Sequence, residues 1–218
     1  GNVPVDIDTY LGEGLREMGC TDPYEALDLV LEQTGLMEPG YQIAMIGEML
    51  ASIMDHLREI AALMLFHPRR DVRNAVAALL AHAKGETISP ETLKRLIIVR
   101  NWFPPEIRKE LDTAISNARR ARVECAPLKE NTLHSVAATT IDGAGAQSFW
   151  ISVGAKRRFD LCNILWKQGT GVIDTFIHRL PSAKGVDHFL AGLPDVMCFA
   201  NVDPAYIDKV ISHALAIG

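Results

Sequence analysis

The sequence lacks a C-x-x-C pair. Its four cysteines, Cys20, Cys125, Cys162 and Cys198, lie far apart in 218 residues. That spacing gives no support to a zinc site or a dithiol redox motif. It suits reduced, mostly buried thiols in a cytoplasmic protein. No apolar run approaches the roughly 20 residues of a membrane span. The richest stretch, Met45 to Phe66, is interrupted by Glu48, Asp55, His56, Arg58 and Glu59. No basic segment with a cleavage site opens the chain, so no secretory leader is expected. The histidines at 56, 67, 82, 134, 178, 188 and 213 never form an i, i+4 pair with a third ligand in reach. The acidic stretch 6–38 offers no paired carboxylates around an apolar pocket, which leaves acid–base catalysis unsupported. No catalytic residue, metal or cofactor is therefore expected, and no membrane partner.

Apolar residues make up 48% of the chain and charged residues 22%, ordinary values for a globular protein able to bury a core. The charge is unevenly spread. Residues 1–68 hold 12 acidic and 2 basic side chains, residues 69–122 hold 12 basic and 6 acidic, and residues 123–218 are nearly balanced. An acidic partner would meet the middle third, unless the acidic first third folds against it.

The stretch from Leu57 to Ala121 reads as one helix–turn–helix unit written twice. At an offset of 35, Asp71-Val72-Arg73 falls on Glu106-Ile107-Arg108, Val76 on Leu111, Leu80 on Ile115, Ala83 on Ala118 and Leu63 on Ile98. Proline precedes each triplet, Pro68 in one copy and Pro104-Pro105 in the other, where a missing N–H costs nothing. The aliphatic positions form one buried stripe per helix, and two such hairpins would seal each other's apolar flank. The wording of "HPRRDVRNAVAALLAHA" resembles the second half of a HEAT-type helical repeat. The second copy departs from that pattern at Asp112 and at Trp102-Phe103. The resemblance implies stacked hairpins with a binding surface.

Upstream, Asp22-Pro23 starts a helix that Gly35 stops, and Tyr41 to Phe66 is one long helix or two. After Pro127 the character changes. Leu133–Ile141, Gln147–Val153 and Arg158–Trp166 read as a three-stranded antiparallel meander with glycine turns at 143–145 and 154. Val172–Leu180, Ala183–Leu193 and Pro204–Ile217 read as three closing helices. The expected fold is α+β, mainly α: a helical, HEAT-like region over 1–126, then a small meander with closing helices over 127–218, packing as one compact unit.

Three constellations stand out. Arg69, Arg70, Arg73 and Arg108 cluster at the two turns, with Arg119, Arg120 and Arg122 beyond. They could grip phosphates or acidic peptides, or each could pair with a neighbouring acid or complement a helix end. Trp150, with Lys156, Arg157 and Arg158 at the next turn and Lys167 after the third strand, could stack an aromatic ligand or cover neighbouring helices. Asp142-Gly143-Ala144-Gly145 is a hairpin turn or a ligand loop, and it lacks the lysine and hydroxyl of a phosphate loop. A Cys162–His134 nucleophile pair is conceivable, though nothing fixes a third partner. The leading expectation is a non-enzymatic cytoplasmic binding module with a protein or acidic macromolecule as partner. Alternatives are nucleic-acid binding by the basic third and an enzyme site near 142–150. Oligomeric state and partner identity are left open.

Overall fold

Capped prolines punctuate the helices of this chain. Asp22 accepts the Tyr24 N–H at 2.8 Å and Ser89 the Thr92 N–H at 3.1 Å, each just before a proline in the first helical turn. A computed structural model describes residues 6–128, 132–155, 158–193 and 197–217, and it divides into two compact units at Pro127/Leu128. No helix among the described residues is long and apolar enough to cross a membrane.

The first unit is helical. A π-helical turn, Asp8–Glu13, leads into the short α1 (Gly14–Glu17), then α2 (Pro23–Thr34), α3 (Pro39–Ala51), α4 (Asp55–Leu63), α5 (Arg70–His82), α6 (Pro90–Val99) and α7 (Pro105–Arg120). The apolar run 41–66 is thus two helices. The break falls at Ser52, and Gly47 sits inside α3. Ser52 leaves helical geometry, its hydroxyl bonded to the Asp8 carboxylate and to the Met54 N–H.

The helices lie in two rows. α2 packs on α4 and α4 on α6; α3 packs on α5 and α5 on α7. Val72, Val76, Ile107 and Leu111 are all fully enclosed, as the stripe argument requires. The α2–α3 pair extends the two rows one step beyond the hairpins that the sequence makes visible. One alignment fails: Leu63 is buried while Ile98 is 47% exposed. In the first row the offset is 36, which matches Leu57 with Leu93 and Ile60 with Leu96, all buried. The turns absorb the one-residue difference.

The second unit is a sheet with helices on both faces. Its strands are β1 (Thr132–Thr139), β2 (Ala146–Ala155), β3 (Arg158–Lys167), β4 (Gly171–Leu180) and β5 (Phe199–Asn201), in the antiparallel order β4-β3-β2-β1-β5. The three-stranded expectation is therefore corrected twice. Val172–Leu180 is a strand and not a helix, and β5 joins the far edge. α8 (Ala183–Ala191) and α9 (Pro204–Ile217) are helices as expected.

Alternation sorts the side chains. Val136, Ala138, Phe149 and Trp166 pack with Ile207 and Ala214 of α9, and Ile151 joins them. Trp150, Leu161, Phe159 and Leu180 pack with Val186 and Phe189 of α8. Tyr206 of α9 donates its hydroxyl to Gln147 at 3.2 Å, while Gln147 donates to the Thr139 carbonyl at 2.8 Å. Gly154 has no room for a side chain: a Cβ there would stand 2.5 Å from the Phe159 ring.

Candidate functional site

The arginines at the two turns of the middle third are engaged with their own chain. Arg69 grips Asp71 with two nitrogens, at 3.0 and 3.2 Å. That pairing holds the Asp71 carboxyl below its ordinary range, and the same hydrogen bond raises the Arg69 guanidinium. Arg70 reaches across from α5 to Glu106 of α7 at 2.9 Å. Backbone N–H contact and this guanidinium together lower the Glu106 carboxyl.

Arg73 is 3% exposed. Its Nη1 donates to the carbonyls of His67 at 2.9 Å and Pro68 at 3.0 Å, closing the turn that precedes its own helix. Burial pulls its guanidinium below its ordinary value, with the charge of Arg70 adding to the effect. Arg108 does the same one unit later. Its Nη2 donates to the carbonyls of Asn101 at 3.3 Å and Phe103 at 3.2 Å. Pro68 and Phe103 are themselves 35 residues apart, so the two arginines perform one task at equivalent places. Turn carbonyls left without helical partners need donors, and in each arginine one terminal nitrogen supplies both.

Other polar side chains tie neighbouring helices, two of them at a separation of 36. Arg95 of α6 meets Glu59 of α4 at 3.2 Å, and Ser89 donates to the same carboxylate at 2.9 Å. Asn117 of α7 donates to the Ala81 carbonyl of α5 at 3.0 Å. These ties were not anticipated from sequence. The signal was present in Glu59/Arg95 and Arg70/Glu106, opposite charges 36 apart, and a charge-pair search at the repeat period finds them. The rings of Phe66 and Phe103 also meet at 5.5 Å, joining the two turns.

One opening on the helical unit is a groove between α5 and α7 of about 210 Å³. It is lined by Asn74, Ala77, Ala78, Glu106, Ile107 and Glu110. A larger depression, about 450 Å³, runs along the outer flank of α7, where Arg108, Lys109, Asp112, Thr113, Ser116 and Arg120 make a polar wall. Arg119, Arg120 and Arg122 are exposed at the end of α7.

The remaining candidates belong to the second unit. Trp150 is buried among aromatic rings: Phe176 at 5.7 Å and Phe199 at 6.4 Å edge-on, Phe189 at 5.8 Å tilted. It presents no face to solvent. Arg158 is exposed and points at Asp160, 3.7 Å away. Arg157 and Lys156 lie outside the described residues. The carboxylate of Asp142 accepts the N–H groups of Ala144 and Ala146, both at 2.8 Å, and these contacts hold it below the usual carboxylate range. Gly145 adopts φ +78°, which its missing side chain permits. The N–H groups that an anion would need are taken by the turn's own aspartate.

His134 and Cys162 do not meet. His134 stacks edge-on against Phe159 on the α8 face, while Cys162 stands in register between Ile151 and Ile177 on the α9 face. Cys125 and Cys198 are exposed, contrary to the expectation that most of the thiols would be buried; Cys20 is buried and Cys162 partly so.

Residues 38–122, which span α3 to α7, match a family model described as Y4lR second domain. The chain is also 27% identical over 201 residues to the uncharacterized protein y4lR of Sinorhizobium fredii (strain NBRC 101917 / NGR234). The alignment covers 89% of this chain and 38% of that protein, so the chain spans well under half the length of the curated relative it matches. No match to a HEAT repeat family accompanies these, and no solved structure matches.

Proposed function

We propose that the helical unit is a HEAT-type binding module whose second row, α3, α5 and α7, holds a segment of another protein. The observation that carries this reading is the repeated turn lock, Arg73 on the carbonyls of 67 and 68 and Arg108 on those of 101 and 103. A lock repeated at the period of the chain speaks for a stack of like units. Stacks of this kind offer extended surfaces and bring no chemistry of their own. The polar outer flank of α7 fits a terminal unit, which must meet water where an inner unit meets its neighbour. The α5/α7 groove has small walls, Ala77 and Ala78, with Asn74, Glu106 and Glu110 at its rim. That shape admits a side chain from a docked segment.

The experiment compares proteins captured by the wild type with those captured by Ala78→Arg and Glu110→Lys variants of unchanged helicity and melting temperature. A partner retained by the wild type and lost by both variants is the expected result. Equal capture by all three defeats the reading.

A nucleic-acid reading keeps one favourable observation, the exposed Arg119, Arg120 and Arg122. Arg69, Arg70, Arg73 and Arg108 contribute less to it, because each is held within the chain. Fluorescence anisotropy with single- and double-stranded oligonucleotides at low salt tests it. Binding should weaken steeply with salt and vanish when all three arginines are reversed. An enzyme site near 142–150 has the least support, since Asp142 closes its own turn and Trp150 is enclosed.

A further inference from the structure

The two edges of the sheet differ. β5, at one edge, is three residues long, too short to template another strand. β4, at the other, is ten residues long, and its outer side pairs with no strand among the described residues. It carries Val172, Ile173, Phe176 and Ile177 exposed, with Ile177 at 63%. Edge strands are ordinarily blunted by shortness, proline or charge. On β4 the charges, Asp174 and Arg179, flank the apolar centre and leave it open.

We propose that β4 is the interface between two copies of this chain, paired antiparallel across a two-fold axis at Ile177 to give one continuous ten-stranded sheet. The register follows from where β4 is regular. An irregularity against β3 separates Val172 from Asp174, and Pro181, just past the strand, has no N–H to give. Between these limits lie residues 174–180, seven in number, with Ile177 at their centre. Opposed residues of an antiparallel pair share a face, so a two-fold axis must pass beside a residue that meets its own copy.

Placed at Ile177, the axis sets Phe176 against the partner's His178, Thr175 against the partner's Arg179 and Asp174 against the partner's Leu180, each twice. No like charges oppose one another. Phe176 and His178 already meet edge-on at 5.1 Å within one chain, so pairing brings four rings together. An axis at Phe176 would instead run the irregular Ile173 against Arg179. An axis at His178 would spend a pair on Pro181. This register opposes no like charges and brings the Phe176 and His178 rings of the two copies together, a self-compatibility that favours a second copy over a foreign strand.

Sedimentation velocity on the full 218-residue chain, from about 1 to 100 µM, reads the outcome directly. The wild type should move from 24.0 kDa towards twice that mass, while Ile177→Lys stays at the lower mass with unchanged circular dichroism. A wild type that stays monomeric throughout overturns the proposal, as does a dimer that survives in Ile177→Lys. Should that variant misfold, Ile177→Cys decides, in a background with Cys125, Cys198 and the facing Cys162 replaced by serine. Mild oxidation should give a disulfide-linked dimer from Ile177→Cys and none from Thr175→Cys. Absence of the first product, or a stronger product from the second, rejects the two-fold register.

Discussion

The two locked turns of the helical unit do the same work in different surroundings. In the first, Arg73 is buried and its carbonyl partners belong to His67 and Pro68. In the second, Arg108 is half-buried and its partners belong to Asn101 and Phe103. The backbone plan is kept, and the depth of the cation changes with the neighbours. Arg73 is enclosed in the middle of the row, whereas Arg108 lines the open flank of α7. A repeated residue therefore does not imply repeated energetics.

The largest expected effect tests whether both turns rest on a shared core. Leu111→Ala empties a fully buried site and should cost about 2–5 kcal/mol in chemical denaturation. Val76→Ala, at the equivalent place in α5, should cost less because fewer atoms leave. Next comes the direct contrast. Arg73→Ala should cost about 3 kcal/mol, through lost packing and two deserted carbonyls, and Arg108→Ala about 1 kcal/mol. Equal costs would erase the distinction drawn between the turns.

Gly85 sharpens the contrast from the connector side. A Cβ there would stand 2.2 Å from the Asn117 carbonyl oxygen, so Gly85→Ala should push α7 away and cost about 1–3 kcal/mol. The first turn alone contains a histidine. His67 is buried, its Nδ1 accepts the Arg69 N–H at 3.0 Å, and burial, followed by the charge of Arg69, lowers its pKa. The unfolded chain then takes up the proton first. Stability should fall as pH drops below about 6.5, and the loss is complete once pH passes the lower folded value. Thermal melts across that window should show a shallower slope for His67→Asn. The smallest effect is expected of Arg69→Ala, whose partner Asp71 is solvated: its melting temperature should match the wild type.

Much of the helical unit was legible because its signals are local. Proline starts, caps and the aliphatic stripe ending in Leu111 and Ile115 act within a few residues of sequence. The arginines were visible as a cluster, but their role was not. A cation that closes a turn and one that waits for a phosphate look alike in a string of letters. β4 was misread for a definite reason. Val172, Ile173, Phe176 and Ile177 recur at the spacing of a helical stripe, and an edge strand with both faces exposed shows no alternation to contradict it. The pairing with β3 overrides that local pattern. β5, at three residues, carries no pattern at all and exists because β1 offers it an open edge.

The sequence by itself determined where helices start, which faces they bury and that the chain turns to sheet after Pro127, since capping, periodicity and turn chemistry are short-range. Only the tertiary structure decided that Arg73 and Arg108 close their own turns, that Trp150 is enclosed and that Val172–Leu180 is a strand. Those outcomes depend on burial and on hydrogen-bond partners that arrive from distant parts of the chain.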